Sequence, residues 1–181
     1  MTSVRHWSEL RVELLRRAGR DQEARRGLGD PPTSEQWDVV KAVDADNVPW
    51  LARIVAEHGW PRAELVGEDG AHAAWLLAQH APLYLQQRWL PLLEQAVEIG
   101  QADPSDLAYL DDRVRIREKR PQLHGTQWLI RNGEERLYPV EKPNQVNRRR
   151  AALQLPQLAD QDIASAWPHD AAFGDAPAEP L

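Results

Sequence analysis

The sequence contains no cysteine among its 181 residues. This absence excludes a disulfide framework, a thiolate nucleophile and zinc held by cysteine. Any catalytic site would therefore use histidine, carboxylate, amide or hydroxyl groups. Because the composition suits a reducing compartment, we expect a cytoplasmic protein.

Long apolar runs are also missing. No stretch approaches the roughly 20 apolar residues of a membrane span, and the first residues, Met1 to Leu15, contain no apolar segment of signal-peptide length. The 28 Asp and Glu residues outnumber the 22 Lys and Arg residues, for a net charge of −6. Such a surface repels phosphate backbones. We therefore expect neither a membrane nor a nucleic acid as partner.

Several motifs with known chemistry are absent as well. The sequence has no phosphate-cradling glycine loop, no His-Glu-x-x-His, no Gly-x-Ser-x-Gly and no calcium loop. The spacings among His58, His72, His80 and His124 match no helical pair of metal ligands. We predict no bound metal and no cofactor.

What the sequence does contain is helical periodicity. Trp7, Leu10, Leu14 and Ala18 recur at spacings of three and four, which predicts a helix over about 4–27. A capping box at Thr33 to Gln36 opens the second helix, and Pro49 should kink or divide it near Asn47. The glycines of 59–70 indicate a loop. Further helices are predicted over 71–81, 83–99, 104–117 and 144–153, with a less regular one over 157–167.

The period changes near the C-terminus. Asn132-Gly133 joins two strand-like segments within 126–140, because both residues tolerate the positive φ angles of a type I′ turn. From Pro168 onward the Ala, Pro, Asp and Gly mixture predicts a disordered tail over 168–181. The fold class is thus mainly α: one compact domain over 1–167 with about six helices, a C-terminal β-hairpin and a disordered tail.

Polar residues interrupt the apolar faces of the first two helices. Asp44 and Asn47 stand three apart on the second helix, and Asp21 and Arg25 stand one turn apart on the first. Burying such groups costs several kcal/mol unless they are hydrogen-bonded or ion-paired. We expect them to face a shared pocket, with Asp44 catalytic and with Asn47, Asp21 and Arg25 binding a substrate.

His80 ends the apolar face of the helix over 71–81 and titrates near neutral pH, so we assign it as general acid or base. Its alternative is a hydrogen-bonded core histidine. Asp112 and Arg113 lie near the end of the helix over 104–117. Asp112 would orient His80 or share its proton, and Arg113 would bind an anionic group. Their alternative is a helix-end ion pair worth under about 1 kcal/mol, with Asp112 either at the surface or in contact with the following loop.

Two further segments suit a pocket wall. Gln122 and Gln127 flank Gly125, and the glycine permits close backbone approach to a ligand. An ordinary junction between loop and strand has the same composition. Trp60, held between Gly59 and Pro61, either walls the pocket or fills the core.

Several short motifs occur in a recognisable order. Together they resemble a bacterial family of unknown function, and the resemblance implies a compact, mainly helical domain with a terminal hairpin and no named activity. The sequence departs from the family pattern at His124, where a tyrosine is usual, at Pro82-Leu83-Tyr84, where acidic residues are usual, and at Gln154, where a glycine is usual. The motifs are Asp21-Gln22-x-x-Arg25, Asp44-x-x-Asn47, Gly59-Trp60-Pro61, Val66-Gly67, the run 71–81 with Gln79-His80-Ala81, Leu107-Ala108-Tyr109-Leu110-x-Asp112-Arg113, Gln122 with Gly125-Thr126-Gln127, and 149–153.

Three functions remain open from the residues. The first is an enzyme that performs acid-base chemistry on a small polar or anionic molecule, as a metal-independent hydrolase, isomerase or lyase. The second is a non-catalytic binding or regulatory module whose polar residues form a buried network. The third is a metal-dependent enzyme with histidine and carboxylate ligands.

Overall fold

The computed structural model describes residues 2–174. The chain divides into two compact units, Met1–Asp106 and Leu107–Leu181, which are described here one at a time. About two thirds of the chain is helical, and residues 2–174 contain eight α-helices and a two-stranded antiparallel hairpin. The predicted fold class is confirmed. The prediction of a single domain over 1–167 stays a prediction.

Four helices and the start of a fifth build the first unit. Within it, α1 packs against both α2 and α3. Apolar side chains from all four complete helices are fully buried, including Leu14, Leu51, Leu77 and Leu93. The helices are α1 (Thr2–Arg26), α2 (Ser34–His58), α3 (Ala63–Ala78), α4 (Leu83–Glu98) and α5 (Pro104–Arg117).

The predicted capping box starts α2. The hydroxyl of Thr33 accepts the Gln36 backbone N–H at 3.3 Å, and the Gln36 side chain accepts the Thr33 N–H at 2.9 Å. Gln36 also donates to the Gly27 carbonyl at 2.8 Å, which closes the α1–α2 connection. The predicted division at Pro49 is wrong, because α2 is continuous from Ser34 to His58. Pro49 and Ala45 are both exposed, so the carbonyl deprived of a donor lies on the solvent side.

The loop predicted over 59–70 is confirmed only for 59–62 and is wrong from Ala63 onward. Residues from Ala63 onward are already helical, and Gly67 alone breaks the helix with φ 75° and ψ 162°. This conformation strongly favours glycine. Gly70 then packs so closely on Val66 that a Cβ there would stand 2.9 Å from the valine Cβ. The glycines produce a kink and a close contact, where a loop was expected.

The second unit contains the rest of α5, the hairpin and three short helices. Its core holds two groups of buried apolar residues, one around Leu137 and Val146 and the other around Ile116 and Tyr138. The elements are β1 (Trp128–Arg131), β2 (Glu134–Leu137), α6 (Val146–Ala152), α7 (Asp160–Ala164) and α8 (His169–Phe173), with a 3-10 turn at Pro143–Gln145 before α6.

The hairpin has the predicted turn. Arg131 pairs with Glu134 across it, and Asn132 and Gly133 have φ angles of 54° and 77°. Both values are positive, as a type I′ turn requires.

The predicted tail needs a correction at its start. Residues 169–173 form α8, and Phe173 stacks on Tyr138 with ring centroids 5.7 Å apart. The aromatic contact gives this segment a buried surface that its composition does not suggest. The rest of the predicted tail, 175–181, lies outside the described residues. No helix in the described part of the chain is both long and apolar enough to cross a membrane.

Candidate functional site

Four of the predicted site residues meet in the first unit. Arg25 Nη2 donates to Asp44 Oδ1 at 2.7 Å and lies 3.3 Å from Asp21 Oδ1. His80 Nε2 lies 3.5 Å from Asp21 Oδ2. We call Asp21, Arg25, Asp44 and His80 the polar centre. It joins α1, α2 and the turn after α3, so three separate motifs of the sequence converge on one point.

Burial sets the electrostatics of the polar centre. The Asp21 side chain is only 1% exposed, and this burial raises its pKa, with Arg25 opposing the rise and the charge of Asp44 adding to it. Burial likewise raises the pKa of Asp44, which Arg25 and a hydrogen bond with Asp21 partly offset. Two carboxyl groups thus compete for one guanidinium. The pKa of each carboxyl is therefore raised toward the neutral range, in which a carboxyl can exchange protons with a substrate.

The polar centre is partly open to solvent. The side chains of His80, Arg25 and Asp44 are 17%, 20% and 28% exposed. Arg25 Nε is a buried donor that finds no hydrogen-bond partner among the described residues. A buried unpaired donor is costly, so a ligand or water entering the centre would have a group to satisfy.

A groove of about 360 Å³ lies between α1 and α2. Two of its lining residues, Ala24 and Val43, directly neighbour Arg25 and Asp44 in the sequence. The lining residues are Arg20, Glu23, Ala24, Gly27, Gln36, Val39 and Val43.

Asn47 belongs to a second contact between the same helices. Its Oδ1 accepts from Arg17 Nη1 at 3.1 Å, and that guanidinium also binds Asp46 and stacks over Trp50 at 4.5 Å. The buried Nδ2 of Asn47 has no partner in the part of the chain that is described. Sequence reasoning missed Arg17, although its spacing of four from Asp21 places both on one helix face.

Asp112 lies in the second unit and is fully buried. Its carboxylate accepts the backbone N–H groups of Leu123, His124 and Thr126 at 2.7, 3.0 and 3.0 Å, and the Thr126 hydroxyl at 3.0 Å. The interpretation as a partner of the following loop is confirmed, and an exposed position is wrong. Amide donors stabilise a buried carboxylate, so these contacts account for its burial. Its catalytic role stays a prediction.

Gln122 and Gln127 meet at the start of the hairpin. Gln122 Nε2 donates to the carbonyls of Gln127 and Tyr138, both at 2.9 Å, and its Oε1 accepts the Gln127 N–H at 2.8 Å. Gln127 Nε2 donates to the Thr126 hydroxyl at 3.0 Å. These contacts agree with the alternative interpretation of this segment as an ordinary junction between loop and strand. A role in substrate binding stays a prediction for both glutamines.

The remaining candidates occupy other places. Trp60 is 4% exposed and lies in the apolar core of the first unit, which agrees with the interpretation that its ring fills the core. Arg113 is half-buried on α5 in the second unit. Neither belongs to the polar centre as defined, and their predicted binding roles stay predictions.

One ionic pair of the first unit was missed by sequence reasoning. His72 Nδ1 lies 3.0 Å from both carboxylate oxygens of Asp106 and its ring stacks on Trp75 at 4.9 Å. The hydrogen bond to Asp106 raises the pKa of His72, whose side chain is 51% exposed. Burial raises the pKa of Asp106, and His72 opposes that rise. No local spacing could reveal the pair, because its members lie on different helices.

A group of possible metal ligands occurs in the second unit. Ligand atoms of Asp111, Asp112 and His124 all lie within 4.8 Å of one another. However, Asp112 already accepts backbone amides, and Asp111 lies 3.5 Å from Arg115. Burial lowers the pKa of His124, and the charges of Arg149, Arg115 and Arg150 add to this effect, while the charge of Asp112 opposes it. Such a positive environment disfavours a cation, so this donor set fits a metal poorly.

The described residues thus define a mainly helical protein with a partly open ionic centre in its first unit. A family model described as a family of unknown function, DUF6624, matches residues 8–165. The chain belongs to this family. No curated protein and no solved structure matches it.

Proposed function

We propose that the protein is an enzyme that performs acid-base chemistry on a small polar or anionic molecule at the polar centre. The observation that carries the proposal is the grouping of two buried carboxyls, Asp21 and Asp44, around Arg25, with His80 against one of them. Ionisable groups with perturbed pKa values cluster at functional sites, where they exchange protons.

Each residue has a role that follows from its position. His80 is the general acid or base, because imidazole exchanges protons near neutral pH. Asp21 is a positioning residue, since it is nearly inaccessible and lies behind the imidazole. Asp44 is the second proton carrier, because it is the more exposed carboxyl. Arg25 attracts an anionic group and stabilises charge that forms during the reaction.

The chemistry of this set is proton transfer. A hydrolysis, an isomerisation or an elimination each needs one group to take a proton and another to give one. The proposed reaction uses the motifs Asp21-Gln22-x-x-Arg25, Asp44-x-x-Asn47 and Gln79-His80 and does not require Asp112.

The proposal is tested with His80→Gln and Asp44→Asn. Asp38→Asn is the matched control, because Asp38 lies on the same helix with a side chain that is 72% exposed. Turnover is measured on a panel of aryl esters, phosphate esters, aryl glycosides and lactones. We expect wild type and the control to turn over a panel member, and both site variants to lose about 100-fold or more in rate.

Unfolding temperature provides the second measurement. In an active site, removing a polar group leaves stability nearly unchanged or raises it. If both site variants instead unfold at much lower temperature and no panel member reacts, the centre is a structural network and the enzyme proposal fails.

The non-catalytic binding or regulatory module is the second candidate. The near-complete burial of Asp21 and the second contact between Arg17 and Asn47 favour it, because both hold α1 and α2 in register without needing a substrate. For either function we propose a cytoplasmic location, in keeping with the absence of cysteine, and no nucleic acid partner, in keeping with the net charge of −6.

A further inference from the structure

We propose that His6 and His58 form a binding site for a divalent transition metal, with Zn²⁺ as the expected ion. The two residues come from the beginning of α1 and the last position of α2. Their Nε2 atoms lie 3.4 Å apart. This site is separate from the polar centre and does not depend on the proposed enzyme function.

The separation of the two nitrogens is the one that a tetrahedral metal requires. Zinc binds imidazole nitrogen at about 2.0–2.1 Å, so two such ligands at the tetrahedral angle stand about 3.3 Å apart. The observed 3.4 Å matches this separation. Imidazole is also a ligand that suits zinc, copper and nickel.

The protonation of the pair is compatible with a metal. One Nε2 donates a hydrogen bond to the other. The donor ring can carry its proton on Nδ1 instead, which leaves both Nε2 lone pairs available. Metal binding then replaces one hydrogen bond by two coordinate bonds, with no net release of protons.

Neighbouring side chains support the arrangement. Trp7 packs edge-on against both imidazoles, with ring centroids 5.4 Å from His6 and 5.2 Å from His58. This packing restricts the rotation of the rings. Glu57 Oε2 lies 3.7 Å from His58 Nε2, close enough for a carboxylate to become a third ligand after a side-chain rotation. The carboxylate also supplies the negative charge that favours a cation.

A bound ion would cross-link α1 and α2 at a point where 52 residues of sequence separate the ligands. Because the unfolded chain cannot hold this geometry, binding would raise the unfolding temperature as the metal concentration increases.

The experiment uses the full chain without added histidine tags. Zn²⁺ affinity is measured by calorimetry, and Co²⁺ is the spectroscopic probe, because tetrahedral cobalt absorbs strongly in the visible range. We expect a single site whose affinity falls by about 100-fold or more in His6→Ala and in His58→Ala, at or above the roughly 10–100-fold that the loss of an outer partner typically costs. His72→Ala is the control and should bind Zn²⁺ as wild type does.

The proposal is overturned if His6→Ala and His58→Ala bind Zn²⁺ as wild type does, which would place the ion elsewhere, or if wild type shows no saturable binding. Circular dichroism in metal-free buffer establishes that each variant is folded. His58→Gln is the substitute if alanine there disturbs α2. A zinc-dependent rise in unfolding temperature that persists in the polar-centre variant His80→Gln and disappears in His6→Ala would separate this site from the polar centre.

Discussion

His80 Nε2 lies 3.5 Å from Asp21 Oδ2, which links the turn after α3 to the middle of α1. Asp21 is deeply buried, whereas His80 is partly exposed. In the proposed reaction, His80 would therefore contact the substrate, and Asp21 would hold the orientation of the imidazole.

The pH dependence of stability should reveal the carboxyl groups of the polar centre. The folded-state pKa of Asp44 is raised by burial, so the stability linked to its neutral form is complete below the ordinary carboxyl value and is lost as pH rises through the folded value. We expect the free energy of unfolding of wild type relative to Asp44→Asn to grow as pH is lowered from about 7 toward 4. Urea unfolding at several pH values measures it. A stability difference that does not change with pH would show that the folded-state pKa of Asp44 is not raised. Asp38→Asn, at an exposed position, is the control.

Loss of Asp112 should strongly destabilise the second unit. Asp112→Ala removes the acceptor of three backbone amides and one hydroxyl and leaves them without a partner. We expect a loss of about 3 kcal/mol or more in the free energy of unfolding. Asp111→Asn, which weakens a partly exposed pair with Arg115, should cost under about 1 kcal/mol. Similar losses in both variants, measured by urea unfolding, would contradict the anchoring role.

The pair of His72 and Asp106 should make the stability of the protein depend on pH near neutrality. Because the folded-state pKa of His72 is raised, its stabilising contribution is complete below the ordinary value of about 6.5 and is lost as pH rises through the folded value. We expect wild type to exceed His72→Gln in stability at pH 6 more than at pH 8, by under about 1 kcal/mol because the ring is half exposed. NMR titration of the imidazole checks the direction. In Asp106→Asn the pKa of His72 should return toward its ordinary value. If the pKa stays raised in this variant, Asp106 is not the cause of the shift.

Gly125 should tolerate alanine less well than Gly100. Both glycines have positive φ, 65° and 69°, so both variants carry the same backbone strain of about 1 kcal/mol. A Cβ at Gly125 would lie 2.6 Å from Leu158 Cδ1, whereas at Gly100 it meets nothing within 4 Å. We expect Gly125→Ala to cost about 1–3 kcal/mol more than Gly100→Ala in thermal or urea unfolding. Equal costs would mean that Leu158 moves aside freely.

Much of the local structure was predictable. The spacing of apolar residues marks α1, the capping box marks the start of α2, and Asn132-Gly133 marks the hairpin turn. The errors also have local causes. Gly67 indicates a loop in the sequence but forms a kink, because one residue with positive φ suffices to redirect a helix. The segment of α8 resembles disordered sequence, yet Phe173 finds an aromatic partner in Tyr138.

The candidate site was predictable only in part. Asp21, Arg25 and Asp44 could be singled out because they interrupt apolar helix faces, and they do meet. Arg17 was missed although it lies four residues before Asp21 on the same helix face. The pair of His72 and Asp106 and the pair of His6 and His58 could not be found this way, because the members of each pair lie on different helices and no spacing within one segment indicates them.

The sequence by itself determined the helical class, the places where several helices begin and end, and which side of the first helices turns inward, because these depend on side chains three or four residues apart. Only the tertiary structure decided which inward sides face each other. That choice depends on packing between distant segments, and it placed His80 against Asp21 and the loop amides around Asp112.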